Sequence, residues 1–299
     1  MINCKNISKS YGKVKALRDV SLNINQNEIF GLIGPDGAGK TTLMRILVSL
    51  LLPDEGSATI DRFDVVKQYR QIRKIVGYMP GRFSLYHDLS VEENLNFFAS
   101  VFGTTVEENY HLVKDIYQQL EPFKTRRAGK LSGGMKQKLA LSCALIHKPE
   151  VLVLDEPTTG VDAVSRTEFW DMLGKLKNAG ITIFVSTPYM DEASRCDRVA
   201  LIQNGEIMTV DQPAKIVEKY GKRIWNVKSA ETYRLLNDLK DWERTESVYP
   251  FGQFLHLSVG GKTEKEDITG YLKARNHEPH VVESFSNIED VFMDLMGKQ

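Results

Sequence analysis

Apolar and polar positions alternate through residues 1–24, with Tyr11 and Gly12 at a break. That period of two predicts a pair of strands joined by a turn. Residues 28–33 are apolar almost throughout and predict a buried strand. Residues 43–52 continue with a helical pattern, of which 46–52 is the most apolar stretch in the chain. Pro53 to Ser57 predict a turn, residues 57–60 a short strand, and residues 75–79 another strand, closed by Pro80 and Gly81. From residue 91 to about 121 the period is helical, with Leu95, Phe98, Ala99 and Phe102 on one face. A further helix is predicted over 136–147. Residues 151–154 form an unbroken apolar run of the kind buried on both faces of a parallel sheet. A helix over 166–179, a strand over 181–186, a helix over 191–196 and a strand over 199–203 complete this part. Strands and helices in alternation argue for an α/β layered fold.

The pattern changes near Tyr220. Strand 223–227, helix 231–240, strands 245–249 and 254–259, helix 264–276 and strand 280–285 follow in that order. The order βαββαβ is the ferredoxin-like arrangement, so a small α+β domain is expected over 221–299 after a first domain over 1–220. A last helix over 288–296 carries Ile288, Val291, Phe292 and Leu295 on one face. No internal repeat or low-complexity linker interrupts the chain.

Three segments carry phosphate chemistry. Residues 34–42, GPDGAGKTT, fit G-x-x-x-x-G-K-[ST], between a predicted strand and a predicted helix, which is the context that motif needs. In the loop Gly34, Pro35, Asp36, Gly37, Ala38 and Gly39 the glycines would let backbone N–H groups crowd around a phosphate, Pro35 having none to give, and the helix start adds positive potential. Lys40 would reach the β- and γ-phosphates of ATP, the Thr41 hydroxyl would bind Mg²⁺, and Thr42 completes the segment. A carboxylate at Asp36 would repel a triphosphate unless turned outward, and the outward orientation is expected. The apolar strand at 151–154 ends in Asp155 and Glu156. Neighbouring strand residues face opposite ways, but a bend at the strand end lets both reach one nucleotide. Asp155 would then hold Mg²⁺ and Glu156 would polarise the attacking water. The third segment is Leu131, Ser132, Gly133, Gly134 and Met135, in which Ser132 stands at the start of a helix.

Composition narrows the setting. Lys plus Arg and Asp plus Glu both number 39, and residues 221–299 hold 11 basic and 13 acidic residues, so no basic surface argues for nucleic acid. Cys4, Cys143 and Cys196 lack paired spacing for zinc or redox chemistry and read as inert thiols in a reducing compartment. The first residues hold no apolar core for a signal peptide, and no run approaches the roughly 18–20 apolar residues that span a bilayer. A membrane channel, if this chain works with one, would be another polypeptide.

The three segments, in this order, resemble the ATP-binding cassettes of ABC transporters, and the resemblance covers residues 1 to about 219. It implies a P-loop NTPase core with a helical subdomain at about 85–150. It implies that residues 131–135, an LSGGQ-type signature ending here in Met135, bind the γ-phosphate held by a second cassette. It also implies that Tyr11 stacks on adenine and that Asp162 is the key acid of a loop facing that second cassette. Two positions depart from the family. Gly81 stands where it has a Gln that touches Mg²⁺ and the attacking water, and Pro188 stands where it has a His that bonds the γ-phosphate. Proline offers neither a side-chain nor a backbone donor. The wording around residues 85–103, 131–141, 189–199 and 287–297 is similar to bacterial export-type ATPases, especially multidrug-efflux subunits with a small C-terminal domain. The implied protein is an ATP-hydrolysing subunit at the cytoplasmic face of the inner membrane, driving separate permease subunits that export drugs or other amphipathic cargo. The alternative is a regulatory subunit, poor in hydrolysis, that binds ATP and completes a partner cassette's site. A soluble ABC protein of DNA repair or translation fits less well with the balanced charge.

Overall fold

The N-terminal alternation folds into two long antiparallel strands, Ile2–Tyr11 and Val14–Ile24. In the computed structural model, which describes residues 1–297, they lie in a four-stranded sheet with Glu55–Ile60 and Phe63–Asp64. Ile2 faces Ile24 on one side and Ile60 on the other, and all three are fully buried. A six-stranded sheet runs in the order Glu206–Asp211, Arg198–Gln203, Ile29–Ile33, Thr182–Thr187, Val151–Asp155, Val76–Met79. The last five strands pair in parallel, and Glu206–Asp211 closes one edge antiparallel. Ile29–Ile33 and Val151–Asp155 are buried at every residue, as strands covered on both faces must be. Helix Lys40–Leu47 buries Leu43, Met44, Ile46 and Leu47 completely, in one core with residues of both sheets.

Several expectations change in detail. The helix expected over 43–52 ends at Leu47, because Ser49 takes a positive φ and the N–H groups of Leu50 and Leu51 turn back to Arg45 O. Leu50 and Leu52 are therefore exposed, and the apolar run 46–52 is a helix end plus a loop. The pattern over 91–121 is two helices, Val91–Val101 and Val106–Tyr117. Gly103 takes φ +72° between them, and a reciprocal pair of hydrogen bonds between Thr105 and Glu108 starts the second helix. Both pack against Gly133–Leu145. The helix expected over 191–196 is a 3₁₀ stretch, Met190–Arg195. Strands Phe63–Asp64 and Glu206–Asp211 and helices Tyr69–Ile75 and Pro213–Tyr220 were not foreseen: they are short, and half of their residues or more stay outside the core.

The chain divides into two compact units, Met1–Pro213 and Ala214–Gln299. The second has its own core of Trp225, Val227, Leu235, Leu239, Leu255, Leu257, Ile268 and Leu272. Its strands lie in the order Thr245–Phe251, Phe254–Val259, Ile224–Lys228, His280–Ser284, all antiparallel, with helices Thr232–Lys240 and Lys265–Lys273 between them in sequence. This is the ferredoxin-like order. Helix Ile288–Gly297 is fastened by polar contacts. Asp290 accepts from the Tyr249 hydroxyl, and its Oδ1 lies 2.6 Å from His256 Nδ1; Lys222 Nζ pairs with Asp294 at 2.6 Å and with Glu246 at 2.7 Å. Ile288, Val291 and Phe292 are buried as the helical period requires, and Leu295 is half-buried.

Candidate functional site

Parallel strands end together, so the loops after Ile29–Ile33, Val151–Asp155, Thr182–Thr187 and Val76–Met79 gather at one edge of the sheet. The first of these loops leads from Gly34 into helix Lys40–Leu47. Gly34 N–H donates to Thr187 O at 3.3 Å, and a Cβ on Gly34 would lie 2.1 Å from Ile202 O. Gly39 takes φ +105°, and a Cβ there would meet Ala16 O at 2.5 Å. Only glycine allows both the turn and these approaches. No side chain caps the helix start, and its first turn holds no acid. An uncapped, acid-free helix start behind a glycine loop fits an anionic phosphate. Ala38 is buried, Pro35, Thr41 and Thr42 are half-buried, and Asp36 and Gly37 are exposed.

Lys40 is 3 % exposed. Its Nζ donates to Gly34 O at 2.8 Å and Pro35 O at 2.9 Å and lies 3.0 Å from Glu156 Oε1. Asp155 closes its strand, and Glu156 takes φ +50°. That left-handed residue is the bend that brings two consecutive acids to one side. Ser186 holds both: Glu156 N–H donates to Ser186 O at 3.1 Å and to its Oγ at 3.0 Å, while Ser186 Oγ donates to Asp155 Oδ1 at 2.8 Å. Ser186 carried no signal in the sequence beyond its place at a strand end. With the Thr41 hydroxyl on the facing helix start, Asp155 offers hard oxygen donors of the type Mg²⁺ takes.

Gly81 lies beside this cluster; a Cβ on it would sit 3.0 Å from Asp155 O. Pro188 directly follows Thr187, whose Oγ1 accepts from Tyr189 N–H at 3.0 Å. Tyr11 is 48 % exposed at the end of its strand, opposite Val14. Leu131 is buried, and Ser132 caps helix Gly133–Leu145 by accepting from Met135 N–H at 3.3 Å. Close packing follows: a Cβ on Gly134 would lie 2.7 Å from Ser165 Oγ, and one on Gly133 would lie 3.2 Å from Gly160 O. Asp162 caps helix Ala163–Asn178 through Ser165 N–H at 3.0 Å, and that bond holds its carboxyl below the usual range. The structure thus forms two groups: Gly34, Lys40, Asp155, Glu156 and Gly81 together, and Ser132–Gly134 with Asp162 apart. Among the described residues no hydrogen bond or ion pair joins Tyr11, Ser132 or Asp162 to Lys40, Asp155 or Glu156.

A groove of about 460 Å³ opens beside the same edge, lined by Tyr78, Met79, Pro80, Leu85, Phe98 and Phe102 among others. His147 stacks on Phe102 with ring centres 3.8 Å apart, and burial pushes its imidazole below the usual value. All three cysteines are buried free thiols; burial pushes that of Cys4 up to about 12 and raises those of Cys143 and Cys196 as well.

The family described as ABC transporter matches residues 17–159. The probable multidrug ABC transporter ATP-binding protein YbhF of Escherichia coli K12 is 38 % identical over 286 residues, which cover 94 % of this chain and 49 % of that protein. The chain thus spans about half the length of that relative. Nod factor export ATP-binding protein I of Burkholderia lata is 33 % identical over 307 residues, covering 100 % of this chain and 97 % of that one. A solved dimeric ATP-binding cassette in a post-hydrolysis state, bound to ADP and Pi, matches with a TM-score of 0.64 and 27 % identity over 71 % of this chain and 98 % of that one.

Proposed function

The chain belongs to the ATP-binding proteins of ABC transporters, and from that premise we propose that it is the ATP-hydrolysing subunit of an export system. The contact of Lys40 with Glu156, beside an uncapped helix start and a buried Asp155, carries the reading. Lys40 engages the β- and γ-phosphates. Glu156 takes a proton from the water that attacks the γ-phosphorus, and the bond to ADP breaks. Thr41 and Asp155 would hold Mg²⁺, which supplies positive charge to the phosphate oxygens. Tyr11 stacks on the adenine. Residues 131–135 and Asp162 face a second cassette, of the same or a different chain, and close its nucleotide site.

The first unit, Met1–Pro213, would be the motor and the second, from Ala214 on, an accessory domain, a boundary seven residues before the one expected after residue 220. No helix among the described residues is long and apolar enough to cross a membrane. Separate permease subunits would supply the channel, and the apolar groove around Phe98 and Phe102 would receive a segment of one of them at the cytoplasmic face of the inner membrane. Drugs or other amphipathic molecules are the cargo class, in keeping with the names of the multidrug and Nod factor export relatives. Those names favour the export ATPase over the regulatory alternative.

Calorimetry on Lys40→Ala tests the reading. Loss of a charged hydrogen-bond donor is expected to weaken Mg-ATP binding on the order of tenfold or more. An unchanged affinity would mean the loop does not hold the triphosphate.

A further inference from the structure

Glu192 is a buried carboxylate of the first unit that belongs to none of the three phosphate segments. Glu192 is 3 % exposed, in the 3₁₀ stretch Met190–Arg195. Its Oε2 accepts from Thr158 Oγ1 at 3.1 Å and from Thr187 Oγ1 at 2.5 Å. Its Oε1 lies 3.2 Å from Arg166 Nε, a charge contact rather than a directed hydrogen bond. Both threonines are buried, at 1 % and 0 %. Arg166 also pairs with Asp191 at 2.9 Å and lies over the Tyr189 ring at 4.5 Å. A buried carboxylate is costly to desolvate, and three partners of this kind are what makes it tolerable.

The partners matter because of where they stand. Thr187 ends the strand whose preceding residue, Ser186, holds the backbone of Glu156 and the carboxylate of Asp155. Thr158 lies in the turn that Glu156 opens, in which Thr159 N–H donates to Glu156 O and Val161 N–H to Thr158 O, both at 3.2 Å. Arg166 lies on the helix that Asp162 starts. Glu192 therefore ties both flanks of Glu156 to the start of that helix. Glu156 needs such support, because a non-glycine residue at φ +50° keeps that conformation only where its surroundings fix it.

We propose that Glu192 is a positioning residue for Glu156, an inference that rests on the reading of the chain as an ATPase. Glu192→Ala removes an acceptor shared by two hydroxyls and one of the two carboxylates that pair with Arg166. It is expected to lower kcat on the order of tenfold to a hundredfold, the scale of a small misplacement of a catalytic group, with KM for ATP within about twofold. Glu192→Gln keeps an oxygen for the two threonines and is expected to recover kcat to within about threefold of the parent. Amide hydrogen exchange on the full chain gives a readout free of turnover. In Glu192→Ala the amides of Glu156, Thr159 and Val161 should exchange about tenfold faster, while those of strand Ile224–Lys228 keep their rate. Unchanged exchange at those three amides, or a kcat per folded molecule equal to the parent's, overturns the proposal. A parent chain that turns over no ATP overturns instead the reading on which it rests, and the exchange arm still decides whether Glu192 holds the turn.

Discussion

At the residue scale, the site depends on atoms that come close because side chains are missing. Gly34 is the sharpest instance, since its backbone passes Ile202 O with room for hydrogen only. A methyl group 2.1 Å from a carbonyl oxygen cannot be accommodated by rotating a side chain; one backbone segment must move. Gly34 O is also an acceptor for Lys40, so movement there reaches the lysine directly. Gly34→Ala is therefore expected to cost about 2 kcal/mol or more in urea unfolding and to weaken Mg-ATP binding by on the order of tenfold. Parent-like values in both measurements would show the loop to be softer than this packing implies. The motif residues were legible because glycine, lysine and threonine at that spacing, between a strand and a helix, match the pattern of a phosphate loop. Ser186 and Glu192 were not, because their roles come from strand neighbours and from chain segments up to 34 residues away. Nothing local in the sequence distinguishes either from an ordinary polar residue.

At the element scale, the long strands and helices were legible, and what failed was mostly their ends and the shortest pieces. The helical period ran on from 91 to 121 because apolar residues keep their spacing across the break. The break itself is made by Gly103 and by Thr105 with Glu108, a threonine followed three residues later by a glutamate, which is a readable start signal overridden by the stronger period. The apolar run 46–52 misled in the opposite way: Leu50 and Leu52 near its end are exposed, and exposed apolar residues carry no marker in the sequence. The start of helix Gly133–Leu145 was placed three residues late, since glycines weaken a helical pattern. That start now carries a prediction. Ser132 is exposed, so a large side chain fits there without disturbing this chain's core. Ser132→Arg should leave Mg-ATP affinity unchanged and reduce turnover at least tenfold, because the bulk would stand in the phosphate site of the facing cassette. Steady-state turnover alongside calorimetry separates the two, and undiminished turnover would remove residues 131–135 from the catalytic assembly.

At the scale of the whole molecule, two units with separate cores put the candidate nucleotide residues in one and a buried titratable cluster in the other. Asp290, in the first turn of helix Ile288–Gly297, is fully buried. Burial pushes its carboxyl up, but the bonds from His256, Tyr249 and the Asn287 N–H outweigh burial and hold it below the usual carboxylate range. Tyr220 interacts with Asp290 and also with Lys222 and Asp294, and Lys222 itself is raised against the cost of burial by its bonds to Asp294 and Glu246. A carboxyl whose folded value is depressed contributes stability above its unfolded value, near 3.8, and loses that contribution as pH falls through the folded value. Asp290→Asn should therefore lower the stability of the second unit by about 3 kcal/mol at neutral pH, the scale of breaking a buried pair. The gap between parent and variant should close as pH drops below about 4. Urea unfolding at several pH values, followed through Trp225 and Trp242 in that unit's core, measures this directly. Since none of the candidate nucleotide ligands lies in the second unit, Mg-ATP affinity at neutral pH should stay within about twofold of the parent's. A gap that persists unchanged into acid would show that Asp290 acts through packing and not through its charge.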